Sequence, residues 1–560
     1  MARPFAWEKS YPAGMRWDAP ITRSTVPALL TSAVARFSDK PALDFRGAKI
    51  SYGELAREAE RVGAAFVANG MKPGDPLALY LPNTPYHPYC FFGGAKAGLR
   101  LVHLSPLDAP AELAHKLHDS GARTIVTTNV AGMMEKAIGL LDAGHADLVI
   151  VADDAAFGPS PAPAGAIPER KGVVSLAAFT QAATPPPIWP DVTPDDVILL
   201  QYTGGTTGLP KGAILTHGNL TAAISMYEAW SKGIGQHAQS RRIICVLPLF
   251  HIYALTTILL RGLDHGAELL LRMRFDVESI LRDIEVGRAT HFPGVPTMWI
   301  ALNAAPGIEK RDFSSLLNVS SGGAPLPVEV GERFERLTGH KLIGGWGMTE
   351  TSPAGTNRLP DGKAKPGTIG LPLPGIELEI CALDDPSRPL GPNETGELRI
   401  RGHNVTRGYW NRPEETAAAF AGDWFLTGDI GHMDEDGYFF ITDRKKDMII
   451  SGGFNVYPQM IEQAVYQHPD VEECLVVGVP DGYRGEAAKA FVKLRAGSAP
   501  LTLEALLAFL KDKLGRHEMP AALEIRPALP RTAVGKLSKV ELRREERDKA
   551  ASRDDERGAA

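Results

Sequence analysis

Tyr202-Thr-Gly-Gly-Thr-Thr-Gly-Leu-Pro-Lys-Gly212 follows directly on the apolar run Val197 to Leu200, a pattern that predicts a strand leading into a glycine-rich loop. Glycines let a backbone approach an anion closely, threonine hydroxyls donate hydrogen bonds, and Lys211 adds a positive charge. The loop therefore predicts a polyphosphate site. It differs from the Walker pattern, because two residues separate Gly208 from Lys211 and Gly212 follows the lysine, so a P-loop kinase or NTPase is disfavoured. A flexible hairpin loop is the alternative interpretation.

The whole chain has 560 residues, several times the length of a typical domain, so we expect at least two domains. Hydrophobic residues make up 44% and charged residues 22%, which is typical of a globular protein and excludes a disordered or fibrous one. The net charge of -6 predicts no nucleic-acid partner. Widely spaced cysteines favour a reducing cytoplasm over a structural zinc site; they are Cys90, Cys245, Cys381 and Cys474.

Two segments bear on targeting and membranes. Met1 to Trp17 has no apolar core segment, so neither a signal peptide nor a transit peptide is predicted. Ile243 to Leu260 lacks Asp, Glu, Lys and Arg over 18 residues, the lower limit for a bilayer span. Pro248 and His251 interrupt it, so we predict a buried strand, a loop and a core helix. The expectation is a cytoplasmic protein without a transmembrane segment; peripheral contact with a membrane and a homodimer stay open.

Short apolar runs alternate with amphipathic stretches between residues 41 and 150, a pattern typical of α/β layers with parallel strands. Examples are the predicted strand Pro76 to Leu81 and the predicted helix Tyr52 to Ala68. The proline-rich residues 152–196 predict a surface connection without a strand. We therefore predict an α/β protein: a large multi-layer α/β N-terminal domain over residues 1–442 with a β-rich subdomain, a hinge at 443–447, and a small mobile α+β C-terminal domain over 448–560.

Six further segments carry polar and glycine residues suited to a nucleotide site. They are Pro248-Leu-Phe-His-Ile-Tyr-Ala254, Gly345-Trp-Gly-Met-Thr-Glu-Thr-Ser-Pro353, Gly408-Tyr-Trp-Asn411, Thr427-Gly-Asp-Ile-Gly431, Asp443-Arg-Lys-Lys446 leading to Ser451-Gly-Gly453, and Pro530-Arg-Thr-Ala-Val-Gly-Lys536. With the glycine-rich loop, and in this order, they resemble the adenylate-forming superfamily over nearly the whole chain. That superfamily includes acyl-CoA synthetases, firefly-type luciferases and non-ribosomal adenylation domains. The resemblance implies that the protein uses ATP with Mg²⁺, and that coenzyme A is a substrate.

The resemblance implies roles at the nucleotide for several residues. The phosphate-binding residues are Thr203, Gly204, Gly205, Thr206, Thr207, Gly208 and Lys211, and the residues at the adenine edge are Gly322, Gly323 and Ala324. Trp346 stands where the family usually has a stacking Tyr. Thr349 would bond the α-phosphate, and Glu350 with Thr207 would hold Mg²⁺. Asp429 can accept both ribose hydroxyls, and Arg444 would contact the same ribose. The alternatives are a helix cap at Thr349, a simple tight turn at 321–324 and a surface ion pair for Asp429 and Arg444.

The C-terminal part carries three further implied roles. Lys536 would act as a catalytic residue, because a compact ammonium offsets charge as pyrophosphate leaves. Lys446 matches the hinge position, and Gly452 with Gly453 matches the segment that admits the CoA thiol. A solvated surface lysine is the alternative for Lys536.

The acid site is implied at His251, next to the reacting carboxylate, unless that residue is an ordinary core histidine. Tyr227 and Trp230 continue a helical stripe from Leu220 and Ile224, which indicates either an acyl tunnel or core packing. Two N-terminal segments look most like the fatty-acyl branch, Ser105-Pro-Leu-Asp108 and Glu112-Leu-Ala-His-Lys116.

The predicted activity is an AMP-forming acid–thiol ligase for a medium- or long-chain fatty acid, or an α,ω-dicarboxylic acid. A second carboxylate would need a cation or water at the end of the tunnel. The candidates nearest in sequence are Arg241, Arg242 and Lys232. A carrier-protein acyl ligase and a luciferase-like oxygenase are the alternatives.

Overall fold

The computed structural model describes residues 3–130, 132–160, 162–186, 188–203, 210–234, 241–360, 365–452, 454–481, 483–532 and 535–558, with side chains as far as residue 549. The strands in these ranges form a seven-stranded sheet, a six-stranded sheet, two five-stranded sheets and a two-stranded ribbon. The predicted mixed α/β fold class, with a large N-terminal and a smaller C-terminal domain, is confirmed.

The strands of the described residues are, in chain order, β1 (Pro41–Phe45), β2 (Ala48–Ser51), β3 (Pro76–Leu79), β4 (Arg100–His103), β5 (Thr124–Thr128), β6 (Leu148–Ala152), β7 (Val173–Ser175), β8 (Val197–Thr203), β9 (Lys211–Thr216), β10 (Arg242–Cys245), β11 (Glu268–Leu271), β12 (His291–Gly294), β13 (Asn318–Ser321), β14 (Thr356–Asn357), β15 (Leu371–Pro372), β16 (Glu377–Cys381), β17 (Gly396–Arg401), β18 (Phe420–Ala421), β19 (Trp424–Met433), β20 (Phe439–Arg444), β21 (Ile449–Ser451), β22 (Phe454–Val456), β23 (Val471–Asp481), β24 (Gly485–Leu494) and β25 (Ala522–Ile525).

The α-helices are α1 (Val26–Phe37), α2 (Tyr52–Ala68), α3 (Tyr86–Lys96), α4 (Pro110–Ser120), α5 (Met133–Asp142), α6 (Leu176–Thr180), α7 (His217–Gly233), α8 (Arg261–Asp264), α9 (Val277–Glu285), α10 (Pro296–Asn303), α11 (Val328–Thr338), α12 (Pro413–Ala418), α13 (Pro458–Tyr466), α14 (Leu503–Leu510) and α15 (Val540–Gly558). A π-helix over Ala254–Leu260 runs directly into α8.

The seven-stranded sheet has the order β7-β6-β5-β3-β4-β8-β9, parallel except for the β8–β9 hairpin. Its central strands are buried apolar runs, as parallel strands covered on both faces require. The predicted strand-free connection 152–196 is wrong in one place, because Val173–Ser175 pairs with β6 at the sheet edge. In the hairpin Thr203 lies opposite Lys211. The glycine-rich loop between them, residues 204–209, lies outside the described residues.

The six-stranded sheet has the order β13-β12-β10-β11-β1-β2, and its strands β10 to β13 are parallel. The predicted sequence of buried strand, loop and core helix over 243–260 is found as β10, a loop and the π-helix. Side chains alternate between two faces along β12 and β13, as the two-residue period of a strand requires. Phe292 and Val319 are buried in the core. The side chains that face a cavity are His291, Pro293, Asn318 and Ser320.

The third sheet is antiparallel, in the order β16-β17-β19-β18, with β20 paired to β19. Strand β20 ends at Arg444, and β21 at Ile449 opens the C-terminal sheet, in the order β22-β21-β24-β23 with β25 on β24. The predicted hinge at 443–447 falls at this junction, and its mobility stays a prediction.

No helix in the described part of the chain combines the length and the hydropathy that a bilayer crossing needs. All four cysteines are buried and none forms a disulfide.

Candidate active site

A cavity of about 890 Å³ lies between the six-stranded sheet, the third sheet and the C-terminal domain. The predicted site residues that line it are Thr203, Lys211, Tyr227, Trp230, His251, Gly322, Gly323, Ala324, Trp346, Thr349, Glu350, Arg444, Lys446 and Lys536. Gly204, Gly205, Thr206, Thr207, Gly208 and Gly453 lie outside the described residues. Gly452 is described and does not line the cavity.

Arg444 and Trp346 line the cavity, and Asp429, which does not line it, is buried behind them in contact with both. The antiparallel register of β19 and β20 places Asp429 opposite Arg444, and Asp429 Oδ1 lies 2.9 Å from Arg444 Nε. The indole Nε1 of Trp346 donates to Asp429 Oδ2 at 2.8 Å. Burial raises the pKa of the Asp429 carboxyl, and Arg444 partly offsets this. The aromatic ring and the carboxylate predicted for adenine and ribose are therefore in direct contact.

Glu350 is buried at a 3₁₀ turn, Thr349–Thr351, and lines the cavity. Tyr409 donates its hydroxyl to Glu350 Oε1 at 2.8 Å. The ammonium of Lys211 lies 5.4 Å from the centre of the Tyr409 ring. Tyr409 thus joins the predicted phosphate and metal residues. It stands in the quoted segment 408–411, but no residue type or spacing there singles it out.

Lys536 reaches the cavity from the C-terminal domain and passes over Gly323. A Cβ placed on Gly323 would lie 2.7 Å from Lys536 Cε and 2.9 Å from its Nζ, so the absence of a side chain makes room for the lysine. Thr297 at the start of α10 donates its hydroxyl to the Gly535 carbonyl at 2.8 Å, which fixes the neighbouring residue. Burial, with a contribution from Arg444, lowers the pKa of Lys536 to about 8.

His251 lies close enough to Lys536 for the lysine's charge to act on the imidazole ring. Burial first, and then Lys536 and His103, hold the pKa of His251 well below its usual range, so the ring is neutral near pH 7. Its Nδ1 accepts the Tyr253 backbone N–H at 3.2 Å. In this arrangement the proton of the neutral ring resides on Nε2, where it can be donated to an oxygen atom.

An aromatic and aliphatic recess continues the cavity beyond His251. Its apolar lining residues are Tyr227, Trp230, Ile243, Ile252, Tyr253 and Ile300. Helix α7 supplies the two predicted acyl-pocket residues, Tyr227 and Trp230. Leu220 and Ile224 of the same predicted stripe pack in the core, so the stripe is core at its start and cavity wall at its end.

The segments that look most like the fatty-acyl branch lie away from this recess. Lys116 binds Asp108 and Glu112, each at 2.7 Å, in a mostly buried cluster outside the cavity lining. Their contribution is to the structure of the N-terminal domain, and the recess is the part of the cavity that can select the acid.

Residues 30–410 match the family described as AMP-binding enzyme, and residues 460–536 match the AMP-binding enzyme C-terminal domain. The chain belongs to this family. Two relatives share 37% identity with it. The long-chain-fatty-acid–CoA ligase of Bacillus subtilis (strain 168) aligns over 96% of this chain and 98% of its own length, and the feruloyl-CoA synthase of an Amycolatopsis species over 89% and 94%. The structure of the anthranilate CoA ligase AuaEII with anthranoyl-AMP covers 96% of this chain and 100% of its own, with a TM-score of 0.84 and 25% identity.

The acyl-CoA ligases of this family use ATP, Mg²⁺ and CoA, and the cavity of the present AMP-binding enzyme fits the metal. Burial raises the pKa of Glu350, and Tyr409 is its one side-chain hydrogen-bond partner among the described residues, so a cation there would offset a buried negative charge. Mg²⁺ in nucleotide enzymes is commonly held by one or two carboxylates together with phosphate oxygens. Glu350 supplies such a carboxylate; the predicted second ligand, Thr207, lies outside the described residues.

The far end of the recess in this AMP-binding enzyme is cationic. Arg241 and Arg261 both line it. Of the cations nearest in sequence, Arg242 instead binds Glu268 at 2.8 Å outside the lining, and Lys232 is exposed beside Glu228. Sequence reasoning missed Arg261, although a signal was present: it is the charge that ends the uncharged run 243–260.

Proposed function

We propose that this AMP-binding enzyme joins an aliphatic carboxylic acid of medium or long chain to coenzyme A, with ATP cleaved to AMP and pyrophosphate. The observation that carries the proposal is one continuous cavity. The cations Lys211 and Lys536 and the carboxylate Glu350 stand at one end, and the recess with Trp230 and Ile300 extends from it behind His251. The relative from Bacillus subtilis, with 37% identity over nearly full length, supports the same class of acid.

In the first step an oxygen of the acid attacks the α-phosphorus of ATP, and the bond from that phosphorus to pyrophosphate breaks. Negative charge builds on the departing pyrophosphate and on the non-bridging oxygens. Lys536 and Lys211 supply cations for this charge, and the buried surroundings of Lys536 strengthen its effect. The neutral His251 can donate from Nε2 to a carboxylate oxygen and hold the acid in place. Glu350 would hold the Mg²⁺ that neutralises phosphate oxygens.

In the second step the CoA sulfur attacks the acyl carbon, and the bond from that carbon to the AMP oxygen breaks. Lys536 occupies the cavity in this structure, whereas Gly452 does not line it. This arrangement suits the first step. A turn of the C-terminal domain about Lys446 would withdraw Lys536 and bring residues 452–453 to the acyl-AMP.

A panel of acids with ATP, Mg²⁺ and CoA, read by AMP release and by acyl-CoA mass, tests the proposal. We expect kcat/KM for saturated acids to rise with each methylene, because each buried CH₂ contributes about 0.8 kcal/mol until the recess is full. Replacement of CoA by a carrier protein, and an assay for oxygen consumption, separate the alternative acceptors. Activity restricted to acetate, aromatic acids or amino acids would contradict the aliphatic acid but leave adenylation intact.

A further inference from the structure

We propose that the acid recess ends in an anion subsite formed by Arg261 and Arg241, and that the preferred substrates are α,ω-dicarboxylic acids whose distal carboxylate binds there. The inference rests on the proposed function, since it names the acid that the ligase activates. It departs from a simple fatty-acid tunnel, which would end on apolar side chains.

The guanidinium of Arg261 is held in place at the recess wall with part of its hydrogen-bonding capacity unused. One terminal nitrogen donates to Ser231 Oγ at 2.6 Å, and the group lies 5.1 Å from the centre of the Tyr227 ring. Its Nε is buried and has no hydrogen-bond partner among the described residues. Burial, together with the nearby charge of Arg241, lowers the pKa of Arg261 to about 10, so it remains a cation at neutral pH.

Arg241 adds a second buried cation, only 7% exposed. Neither arginine forms an ion pair in the described parts of the chain, and residues 235–240, which precede Arg241, include no Asp or Glu. The neighbouring carboxylate, Glu228, is already held by His265 and lies 3.4 Å from Lys232. Glu228 therefore compensates the two arginines only in part. Two like charges that face one recess without an ion pair of their own are costly unless an anion binds between them.

The groups around the two arginines suit a carboxylate rather than a methyl terminus. His291 and Asn318 are side by side in the register of β12 and β13 and line the same end. Burial, with Arg241 and Arg261 nearby, lowers the pKa of His291 to about 3, so the imidazole is neutral and can donate a hydrogen bond without adding charge. An alkyl chain that ends here would displace water from charged groups without forming hydrogen bonds to them.

The strands set the length of the acid. His291 and Asn318 begin β12 and β13, and Gly294 and Ser321 end them three residues further along. Gly322 follows there, and Lys536 lies over the next residue, Gly323. Three residues span about 10 Å, and an extended carbon chain advances about 1.25 Å per bond, so diacids of about C8 to C12 should join the two ends.

The test compares equal-length pairs, a saturated monocarboxylic acid and the α,ω-dicarboxylic acid, over that range of carbon number. The full chain is assayed with ATP, Mg²⁺ and CoA, with acyl-CoA mass as the readout. We expect the diacid to exceed its monoacid partner in kcat/KM by about tenfold or more, in the range of a hydrogen bond to a charged group. The monomethyl ester of the diacid keeps the oxygens but loses the charge, and it should behave like the monoacid.

Variants assign the effect to the subsite. Arg261→Met should lower kcat/KM for the diacid about 10²-fold and raise it for the monoacid, whereas Arg261→Lys should keep part of the preference. Arg242→Met is the matched control: it removes an adjacent arginine that binds Glu268 outside the recess, and the diacid to monoacid ratio should not change.

The outcomes are distinguishable. If no acid of either series yields acyl-CoA, the proposed function fails. If monoacids are used as well as or better than diacids, or if the ratio is the same in Arg261→Met and Arg241→Met as in the unmodified chain, the anion subsite is refuted and the ligase activity stands.

Discussion

Loss of the Lys536 ammonium should slow the first half-reaction and leave the second largely unchanged. Lys536→Ala removes the cation that faces departing pyrophosphate, so adenylation should fall on the order of 10²-fold or more. Thioester formation from supplied acyl-AMP and CoA should stay largely intact, because no pyrophosphate leaves in that step. Single-turnover measurements of pyrophosphate release and of acyl-CoA formation provide the comparison. An equal loss in both assays would show that the lysine has a general structural role.

The same residue should determine a pH dependence. With a folded pKa of about 8, Lys536 is mostly charged below that pH and loses its proton as the pH rises through it. We expect kcat/KM for adenylation at low ATP to fall up to about tenfold per pH unit above about pH 8. Lys536→Arg keeps its charge throughout this range and should give a weaker but flat profile. A falling profile in the arginine variant would assign the titration to another group.

At the scale of single residues the sequence indicated the nucleotide end better than the acid end. Asp429, Arg444 and Glu350 stand in segments with a distinctive order of residue types, so their positions could be named. Tyr409 could not, because its role depends on Glu350, 59 residues away, which only the tertiary fold brings near. Arg261 carries a sequence signal as the charge that ends the run 243–260, but its place in the recess depends on the fold, which brings it to Ser231, 30 residues away. The catalytic and binding roles of the predicted residues stay predictions.

Addition of one methyl group at Gly323, in the turn after β13, tests whether this glycine makes room for Lys536. Gly323 has φ +76°, and a Cβ there would meet the end of Lys536. Gly323→Ala should cost about 1 to 2 kcal/mol in stability from backbone strain and displace the lysine, which lowers adenylation tenfold or more. Gly307→Ala is the control, since Gly307 has φ +71° with nothing within 4 Å of its Cβ. We expect similar losses in thermal stability for the two variants. A matching loss of adenylation in Gly307→Ala would attribute the effect to stability alone.

Elements with strong local signals were predictable. Helix α2 begins and ends where the sequence placed it, at Tyr52 and Ala68, because Ser51 and Glu54 form a capping box and the apolar period is regular. Strand β7, of three residues, was missed because it is too short to carry a period and depends on pairing with β6. The π-helix over 254–260 was expected only as a helix, since the apolar run contains no local feature that selects i→i+5 bonds.

At the scale of the whole molecule, the junction between the domains should control the second half-reaction. Lys446→Pro fixes φ at the predicted pivot, so we expect thioester formation to slow about tenfold or more while pyrophosphate release changes little. Lys446→Ala removes the side chain but leaves φ free, and it serves as the control. Equal slowing of both steps in single-turnover assays would move the pivot to another residue.

The relative placement of the two domains was beyond the reach of sequence patterns. Seven segments in order identified the family and the α/β class, yet none of them states which surface of the C-terminal domain faces the cavity. That surface is selected by contacts between remote residues, such as the bond from Thr297 to the Gly535 carbonyl. Each contact of this kind contributes little by itself, and no local sequence pattern predicts it.

The strand pair β12 and β13 separates the proposed ATP end from the proposed end of acid recognition, with Gly322 after one end and His291 at the other. A lineage can therefore inherit the ATP end unchanged while drift at positions 231, 241, 261 and 291 explores new acids. On this proposal, mutations at these positions should change which acid is activated and leave the adenylation chemistry intact.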